Sequence, residues 1–274
     1  MQTPRSILLH LDGSARTAER VKLARSLADA FDADVAGTPC TTSALMRYPF
    51  ALEGAAEAIA VMRDSDKAAR NRMYASFTAH AAGSQRMHWT DPEPDAPWRF
   101  ARRALYADLV IVGQRDPEDE MASELPGDFL PHLLVESGRP ALVLPYAGPL
   151  SPLGGCVLLA WKETPEAARA LSAALPWLHL ASRVHAICYG EQADASLQKL
   201  QSYLAAHGIA DVSLHDGGAE EGDAGEKLLS RAADVGADLL VMGCYGHSRA
   251  REWILGGVTR TILASMTLPV LMSH

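Results

Sequence analysis

The chain alternates short apolar segments with longer segments in which apolar residues, many of them alanine, recur at helical spacing. The run at 156–160 is apolar at every position, which is typical of a parallel strand buried on both faces. In the second half, the pattern predicts strands near 155–161, 183–189, 211–215, 238–243 and 268–273. It predicts helices near 165–180, 192–207, 223–236 and 257–266. This alternation indicates right-handed crossovers in a doubly wound α/β sheet.

The two halves of the chain resemble each other in sequence. Residues 6–14 are similar to residues 156–164, and residues 107–113 match residues 237–243 almost position by position. Each half then closes on a short apolar strand led by a proline. The stretch 146–155 is rich in proline and glycine, as linkers are. We therefore expect two copies of one domain, spanning 1–147 and 154–274.

The first half has its own predicted elements. An alanine-rich helix is expected over 15–31, followed by an irregular loop over 39–50 and a long helix over roughly 51–82. Ser14 and Thr164 occupy equivalent positions directly before the first helix of each copy. Both are predicted to be helix N-caps, because a side-chain oxygen there accepts a hydrogen bond from a first-turn amide.

Charge and cysteine usage narrow the choice of compartment and partner. The net charge is −8, which disfavours non-specific binding to nucleic acid or to an anionic membrane. The four cysteines contain no C-x-x-C pair, which suits reduced thiols in the cytosol. The N-terminal apolar run is too short for a signal sequence, and no apolar stretch approaches the ~18–20 residues of a membrane span. The sequence predicts a cytoplasmic protein.

A glycine-rich loop follows the fourth strand of the second half. Its spacing is G-x2-G-x9-G-G-V-T, formed by Gly243, Gly246, Gly256, Gly257, Val258 and Thr259. Glycines let a backbone approach a phosphate closely, and free N–H groups at the start of a helix attract anions. The same glycines also suit a tight turn before the last helix with no ligand at all.

This loop resembles the ATP-binding signature of the universal stress protein family, written G-x2-G-x9-G-[ST]. The resemblance extends through the Leu-Asp-Gly-Ser that closes the first strand, the repeated Ala-Asp-Leu strand and the terminal Leu-Pro-Val-Leu. It implies a Rossmann-like domain similar to adenine nucleotide α hydrolases, with strand order 3-2-1-4-5. It also implies binding of ATP, or of AMP or ADP, with or without Mg²⁺, and pairing as a homodimer or an intramolecular pseudo-dimer.

The two copies retain different parts of the family's site. In the second copy, Gly257 stands where the family has Ser or Thr, and Lys162 stands where the family has an aspartate that contacts adenosine. Asp12 fills that aspartate position in the first copy, where it either contacts a ligand or caps the first helix. His247 lies within the second-copy loop and joins the predicted nucleotide-binding set.

The loop after Gly113 in the first copy has lost the second glycine of the motif. Six acids surround a single basic residue, Arg115, and a triphosphate would be repelled there. The acids are Asp116, Glu118, Asp119, Glu120, Glu124 and Asp128. We expect the first copy not to hold a nucleotide in the family's manner.

Other chemistry has weaker support. Cys244 and His247 are two possible metal ligands, but a metal site needs a third or fourth, and no second pair is evident. Arg249 and Arg251 either face phosphates or are solvated, and Trp253 is expected to anchor helix packing. No motif for nucleophilic catalysis, dinucleotide binding or a Walker lysine appears.

Three functional hypotheses follow from the sequence. The first is a stress-response protein that senses adenine nucleotide through its second domain, with at most weak ATP hydrolysis. The second is an interaction or structural module that binds no nucleotide. The third is an enzyme of a related adenine-nucleotide-using superfamily.

Overall fold

The chain folds as two compact units, which divide between Arg139 and Pro140. A computed structural model of the chain describes residues 3–47, 56–91, 97–119, 125–148, 153–219, 222–246 and 257–274. No helix within these ranges is both long and apolar enough to cross a membrane. The predicted α/β class is confirmed in both units.

The first unit places helices against a small parallel sheet. Its strands are β1 (Ser6–Leu11), β2 (Asp34–Pro39), β3 (Met87–Trp89) and β4 (Leu109–Gly113). Its helices are α1 (Thr17–Phe31), α2 (Ala44–Arg47), α3 (Ala56–Ala81), α4 (Phe100–Ala104) and α5 (Phe129–Glu136). The strands run in the order β3-β2-β1-β4, and every pairing among them is parallel.

Two local predictions for the first unit are wrong. The predicted loop over 39–50 contains a short helix, α2, whose first amide is held by the Asp66 carboxylate on α3 at 2.9 Å. Ser14 is not an N-cap, because α1 begins only at Thr17 and the Ser14 hydroxyl instead donates to Asp12 at 2.6 Å. Residues 48–55 of the predicted long helix lie outside the described residues, and α3 covers the remainder.

The second unit contains a larger sheet. Its strands are β5 (Ala141–Leu144), β6 (Cys156–Ala160), β7 (Arg183–Cys188), β8 (Val212–Asp216), β9 (Leu239–Gly243) and β10 (Val270–Ser273). Its helices are α6 (Pro165–Leu180), α7 (Ala193–Ala206), α8 (Ala224–Val235) and α9 (Val258–Ser265). The strands run in the order β5-β10-β9-β6-β7-β8.

The predicted strand order 3-2-1-4-5 is present in the second unit, where β6 to β10 are the five strands of one copy. The closing strand of the first copy, β5, pairs with β10 of the second unit and runs antiparallel to it. In detail, therefore, the sheet of the second unit differs from the predicted order by this one added strand. The added strand covers an edge of β10 that would otherwise expose unpaired backbone groups.

The central strands carry the core of each unit. Ile7, Leu9 and Ile111 in the first unit, and Val157 and Leu158 in the second, are fully shielded from solvent. Strands apolar on both sides fit a sheet with helices on both faces. The predicted N-cap Thr164 is confirmed, because its hydroxyl accepts a hydrogen bond from the Ala167 amide at 3.3 Å.

Candidate functional site

A cleft opens in the second unit at the carboxyl ends of β6, β7 and β9. The chain runs outward from β6 to β7 and β8 and then returns to the other side of β6 as β9, so the strand order reverses between β6 and β9. Doubly wound sheets bind ligands at such a reversal. The cavity measures about 150 Å³.

One wall of the cleft is apolar and aromatic. Trp161 follows β6 directly, and its indole Nε1 donates to the Ser196 hydroxyl at 3.0 Å. Tyr189 follows β7, and its ring packs so closely over Gly217 that a Cβ there would lie 2.3 Å from it. Ile187, Leu228 and Met242 also line the cavity. A cavity of about 150 Å³ accommodates a benzene ring, so the enclosed part of the cleft matches one flat ring.

The loop glycines that line the cleft also have a packing role. A Cβ at Gly243 would lie 2.5 Å from the Ala167 backbone nitrogen, so the first turn of α6 needs glycine there. A Cβ at Gly246 would lie 2.9 Å from the Glu166 Oε2 atom. These contacts support the turn interpretation of both glycines, and they are compatible with a ligand beside them.

The loop after β9 contains a backbone conformation that residues other than glycine rarely adopt. Tyr245 has a φ of 54°, in the left-handed region, and such residues cost free energy and concentrate at functional sites. Its amide donates to the Thr259 hydroxyl at 3.4 Å, and the Cys244 amide donates to the Ser273 carbonyl at 2.9 Å. The loop is thus tied to both α9 and β10.

Helix α9 begins at the cleft with open amides. Its N-cap is Gly257, which has no side chain to cap the first turn. The amides of Arg260 and Thr261 donate to the Gly257 carbonyl, whereas those of Val258 and Thr259 donate to no described residue. First-turn amides without acceptors, together with the helix dipole, favour an anion.

A carboxylate stands in the same cleft. Glu166, in the first turn of α6, lines the cavity with only 13% of its side chain exposed. Burial raises its pKa, but hydrogen bonds from its own backbone and from Thr164, with the nearby Arg169 and His274, outweigh burial and leave the pKa below its usual value. Glu166 is therefore ionised at neutral pH, and it repels a phosphate from that part of the cleft.

The first unit fills the equivalent position with its own side chains. Arg20, only 2% exposed, forms an ion pair with Asp12, and the Asp12 carboxylate also accepts from the Thr17 hydroxyl at 2.7 Å. A Cβ on Gly113, which corresponds to Gly243, would lie 2.0 Å from Arg20 Nη1. Asp12 is thus engaged within the protein, but it does not cap α1, whose N-cap is Arg16.

The acidic residues after β4 are a further difference between the first unit and the second. Of the six acids in the degenerate loop, Asp116, Glu118, Asp119 and Asp128 fall within the described residues. The Asp116 carboxylate accepts from the Glu118 amide at 2.9 Å, which forms a local turn. This loop presents negative charge at the end of β4.

The structure brings several predicted residues to one cleft. The cleft is lined by Gly243, Gly246, Val258 and Thr259. Gly257 directly precedes Val258 and is the N-cap of α9. His247 and Gly256, like Arg249, Arg251 and Trp253, lie outside the described residues. The role of the whole set in nucleotide binding stays a prediction.

Three cleft residues were missed by the sequence analysis: Trp161, Tyr189 and Glu166. A usable signal existed for the aromatic pair, because Trp161 directly follows β6, which borders the strand reversal, and Tyr189 directly follows the neighbouring strand β7. Glu166 carried no such signal, since an acid in a first helical turn is ordinarily explained by the helix dipole. Lys162 is exposed and also lines the cavity.

Comparison with known proteins finds a family model that matches the second half of the chain. Residues 157–274 match the model of the Universal stress protein family. A universal stress protein of Synechocystis sp. is 29% identical over 173 residues, which cover 60% of this chain and 57% of that protein. The chain therefore spans less than two thirds of the length of this curated relative.

Solved structures extend the likeness of fold to nearly the whole chain. A universal stress protein from Archaeoglobus fulgidus superposes with a TM-score of 0.73 at 17% identity, covering 99% of this chain and 96% of that one. A Pseudomonas aeruginosa protein of unknown function superposes with a TM-score of 0.62 at 18% identity, covering 99% and 93%. At these identities the likeness concerns the fold alone.

Proposed function

Because residues 157–274 match the model of the Universal stress protein family, we propose that the protein is a stress-response protein that binds an adenine nucleotide in its second unit. The nucleotide occupies the cleft at the carboxyl ends of β6, β7 and β9. Binding orders this cleft and changes how the protein interacts with partners, and no turnover is required.

The open amides at the start of α9 are the observation that carries this proposal. Val258 and Thr259 present two N–H groups beside the cavity without a described acceptor. A phosphate supplies the acceptors that these donors lack, and it does so at the positive end of the helix dipole. The match of residues 157–274 to the Universal stress protein family model supports a nucleotide as the source of that phosphate.

The chemistry of the opposite wall suits the remainder of the ligand. Trp161 and Tyr189 offer aromatic surface, and stacking of a base on an aromatic side chain contributes about 1–3 kcal/mol. The base lies against this wall of the cleft, and the sugar and phosphate extend toward α9. Lys162, a cationic residue, also lines the cleft and adds positive charge there.

The proposal is tested by linkage between ligand and stability. The purified protein is first denatured and the supernatant analysed for released ATP, ADP or AMP. Melting temperature is then recorded with and without added AMP or Mg-ATP. A ligand at a hundredfold excess over its Kd stabilises the native state by about 2.7 kcal/mol, so we expect a rise of several degrees.

Gly246→Asp is the variant that should abolish this rise, because its side chain enters the cleft beside the Glu166 carboxylate. Gly127→Asp is the matched control, since a Cβ there meets only the flexible end of Arg115 at 3.0 Å. Nucleotide-dependent stabilisation that persists in Gly246→Asp, or that is missing from the wild type, contradicts the proposal.

A second candidate function is an interaction module without nucleotide. The close packing of Gly243 and Gly246 against the first turn of α6 favours it, because that packing explains both glycines without a ligand. This candidate predicts no released nucleotide and identical melting temperatures with and without AMP.

A further inference from the structure

We propose that the Glu166 carboxylate is the acceptor that holds the nucleoside part of the ligand, in place of the aspartate that Lys162 has replaced. The inference rests on the proposed function, because it assigns a role within the same cleft. The Glu166 carboxylate recognises a hydrogen-bond donor of the ligand, which is either a ribose hydroxyl or the exocyclic amine of adenine.

The Glu166 Oε2 atom is buried and accepts no hydrogen bond from the described residues. Its other oxygen, Oε1, accepts from Arg169 Nη2 at 3.2 Å. The Glu166 backbone and Thr164 also lower the pKa of this carboxyl, but neither makes a hydrogen bond to Oε2. Buried polar atoms in native proteins are nearly always paired, and an exception calls for an explanation. A carboxylate oxygen that lacks a donor is an incomplete interaction, and the cleft is where a donor can arrive.

The position of Glu166 suits this role. Glu166 lines the cavity, and its Oε2 atom lies so close to Gly246 that a Cβ there would come within 2.9 Å of it. The terminal torsion of a glutamate is broad. A small rotation therefore turns an oxygen toward a ligand in the cleft without moving α6.

The charges of the cleft decide which part of the ligand Glu166 contacts. An ionised carboxylate repels phosphate, whereas the uncapped amides of Val258 and Thr259 attract it. The phosphate therefore lies at α9, and the neutral part of the nucleotide faces Glu166. Ribose hydroxyls and the adenine amine are the donors which that part provides.

The test measures AMP affinity by calorimetry in the presence of EDTA, so that no metal bridges the carboxylate. Hydrogen bonds to charged groups contribute more than those between neutral groups, and Glu166→Ala should weaken AMP binding about ten- to hundredfold. Glu163→Ala is the matched control, because Glu163 pairs with Lys199 at 3.0 Å on the surface and does not line the cleft. It should bind AMP as the wild type does.

Analogues identify the donor. If the donor is a ribose hydroxyl, 2′-deoxy-AMP or 3′-deoxy-AMP binds the wild type about tenfold or more weakly than AMP, and if it is the amine, IMP does so. Glu166→Ala should no longer distinguish AMP from that analogue. Glu166→Gln, which preserves side-chain volume, provides a second variant if the alanine protein is poorly folded, and it should lose at least several-fold in AMP affinity.

The outcomes separate this inference from the proposed function. Tight AMP binding by the wild type that Glu166→Ala and Glu166→Gln leave unchanged overturns the role of Glu166 alone. The role of Glu166 is also overturned if the wild type binds AMP, 2′-deoxy-AMP, 3′-deoxy-AMP and IMP with equal affinity. Failure of the wild type to bind AMP overturns the proposed function, and this inference with it.

Discussion

At the residue scale, two substitutions between the copies account for the difference between their sites. Position 12 is Asp and position 20 is Arg in the first copy; the equivalent positions of the second copy are Lys162 and Ala170. The Arg20 guanidinium fills the space over Gly113, whereas Ala170 is buried and the first turn of α6 packs against Gly243. The first unit supplies its own cation to its own carboxylate, and the second leaves room for a ligand.

His10, a buried histidine beside the Asp12–Arg20 ion pair, has a lowered pKa. His10 is fully shielded from solvent, and its ring packs against Phe100 and Phe129 at centroid distances of 5.5 and 5.2 Å. Burial, opposed by the negative charge of Asp12 and reinforced by Arg20, lowers the pKa of His10 to about 4. The imidazole is therefore neutral in the folded protein at neutral pH.

We predict that His10 makes the protein less stable as the pH falls. An unfolded histidine has a pKa of about 6.5, so between pH 6.5 and 4 the unfolded chain binds a proton that the folded chain refuses. Stability is then full above pH 6.5 and falls as the pH drops toward 4, by roughly 3 kcal/mol for this group. Urea unfolding of the wild type and of His10→Gln across this range isolates the effect.

His10→Gln should lose less stability on acidification than the wild type by about that amount, since glutamine still offers a donor to the Cys40 carbonyl but does not titrate. Parallel pH profiles for wild type and His10→Gln would contradict the account.

At the element scale, one aspartate connects the two helices next to the cleft. The Asp223 carboxylate caps α8 by accepting from the Gly225 amide at 2.7 Å, and it also accepts from the Thr261 hydroxyl of α9 at 2.7 Å. The start of α9 is therefore positioned by α8 as well as by its own loop. The amides proposed to bind phosphate depend on this connection.

Loss of the Asp223–Thr261 hydrogen bond between α8 and α9 should change both stability and AMP binding. Asp223→Ala should cost about 1 kcal/mol through loss of the helix cap and should also weaken AMP binding, because α9 is no longer held in place. Thr261→Val removes the hydrogen bond to Asp223 but keeps the cap of α8. It should therefore weaken AMP binding with little loss in the free energy of unfolding. Urea unfolding and calorimetry measure the two effects.

Asp216→Ala is the control for this pair, because Asp216 accepts from the Gly218 amide in an exposed turn at 2.8 Å. It should leave AMP affinity unchanged. If Asp223→Ala and Thr261→Val both bind AMP as tightly as the wild type, α9 is positioned by other contacts.

Most elements were predictable because their patterns are local. The run at 156–160 and the repeat at 237–243 predict buried strands, and Thr164 predicts the start of α6. Features that depend on distant contacts were not predictable. The short helix α2 relies on Asp66, which is 22 residues away from Ala44, and the antiparallel partner of β5 is β10.

At the scale of the whole molecule, the candidate site was only partly readable from the sequence. The glycine spacing located the loop that borders the cleft, and the acidic loop after Gly113 indicated that the two copies differ. The filling of the first site by Arg20 gave no signal, because an arginine in an amphipathic helix normally points to solvent. Glu166 was missed because its unsatisfied oxygen becomes evident only once Gly246 is placed against it.

The central claim is that one of the two duplicated units holds a nucleotide and the other holds its own arginine. Equilibrium dialysis of the full chain against AMP measures this most directly, as the number of nucleotides bound per chain at saturation. We predict one AMP per chain in the wild type and none in Gly246→Asp. Two per chain, or one per chain that survives Gly246→Asp, would contradict the account.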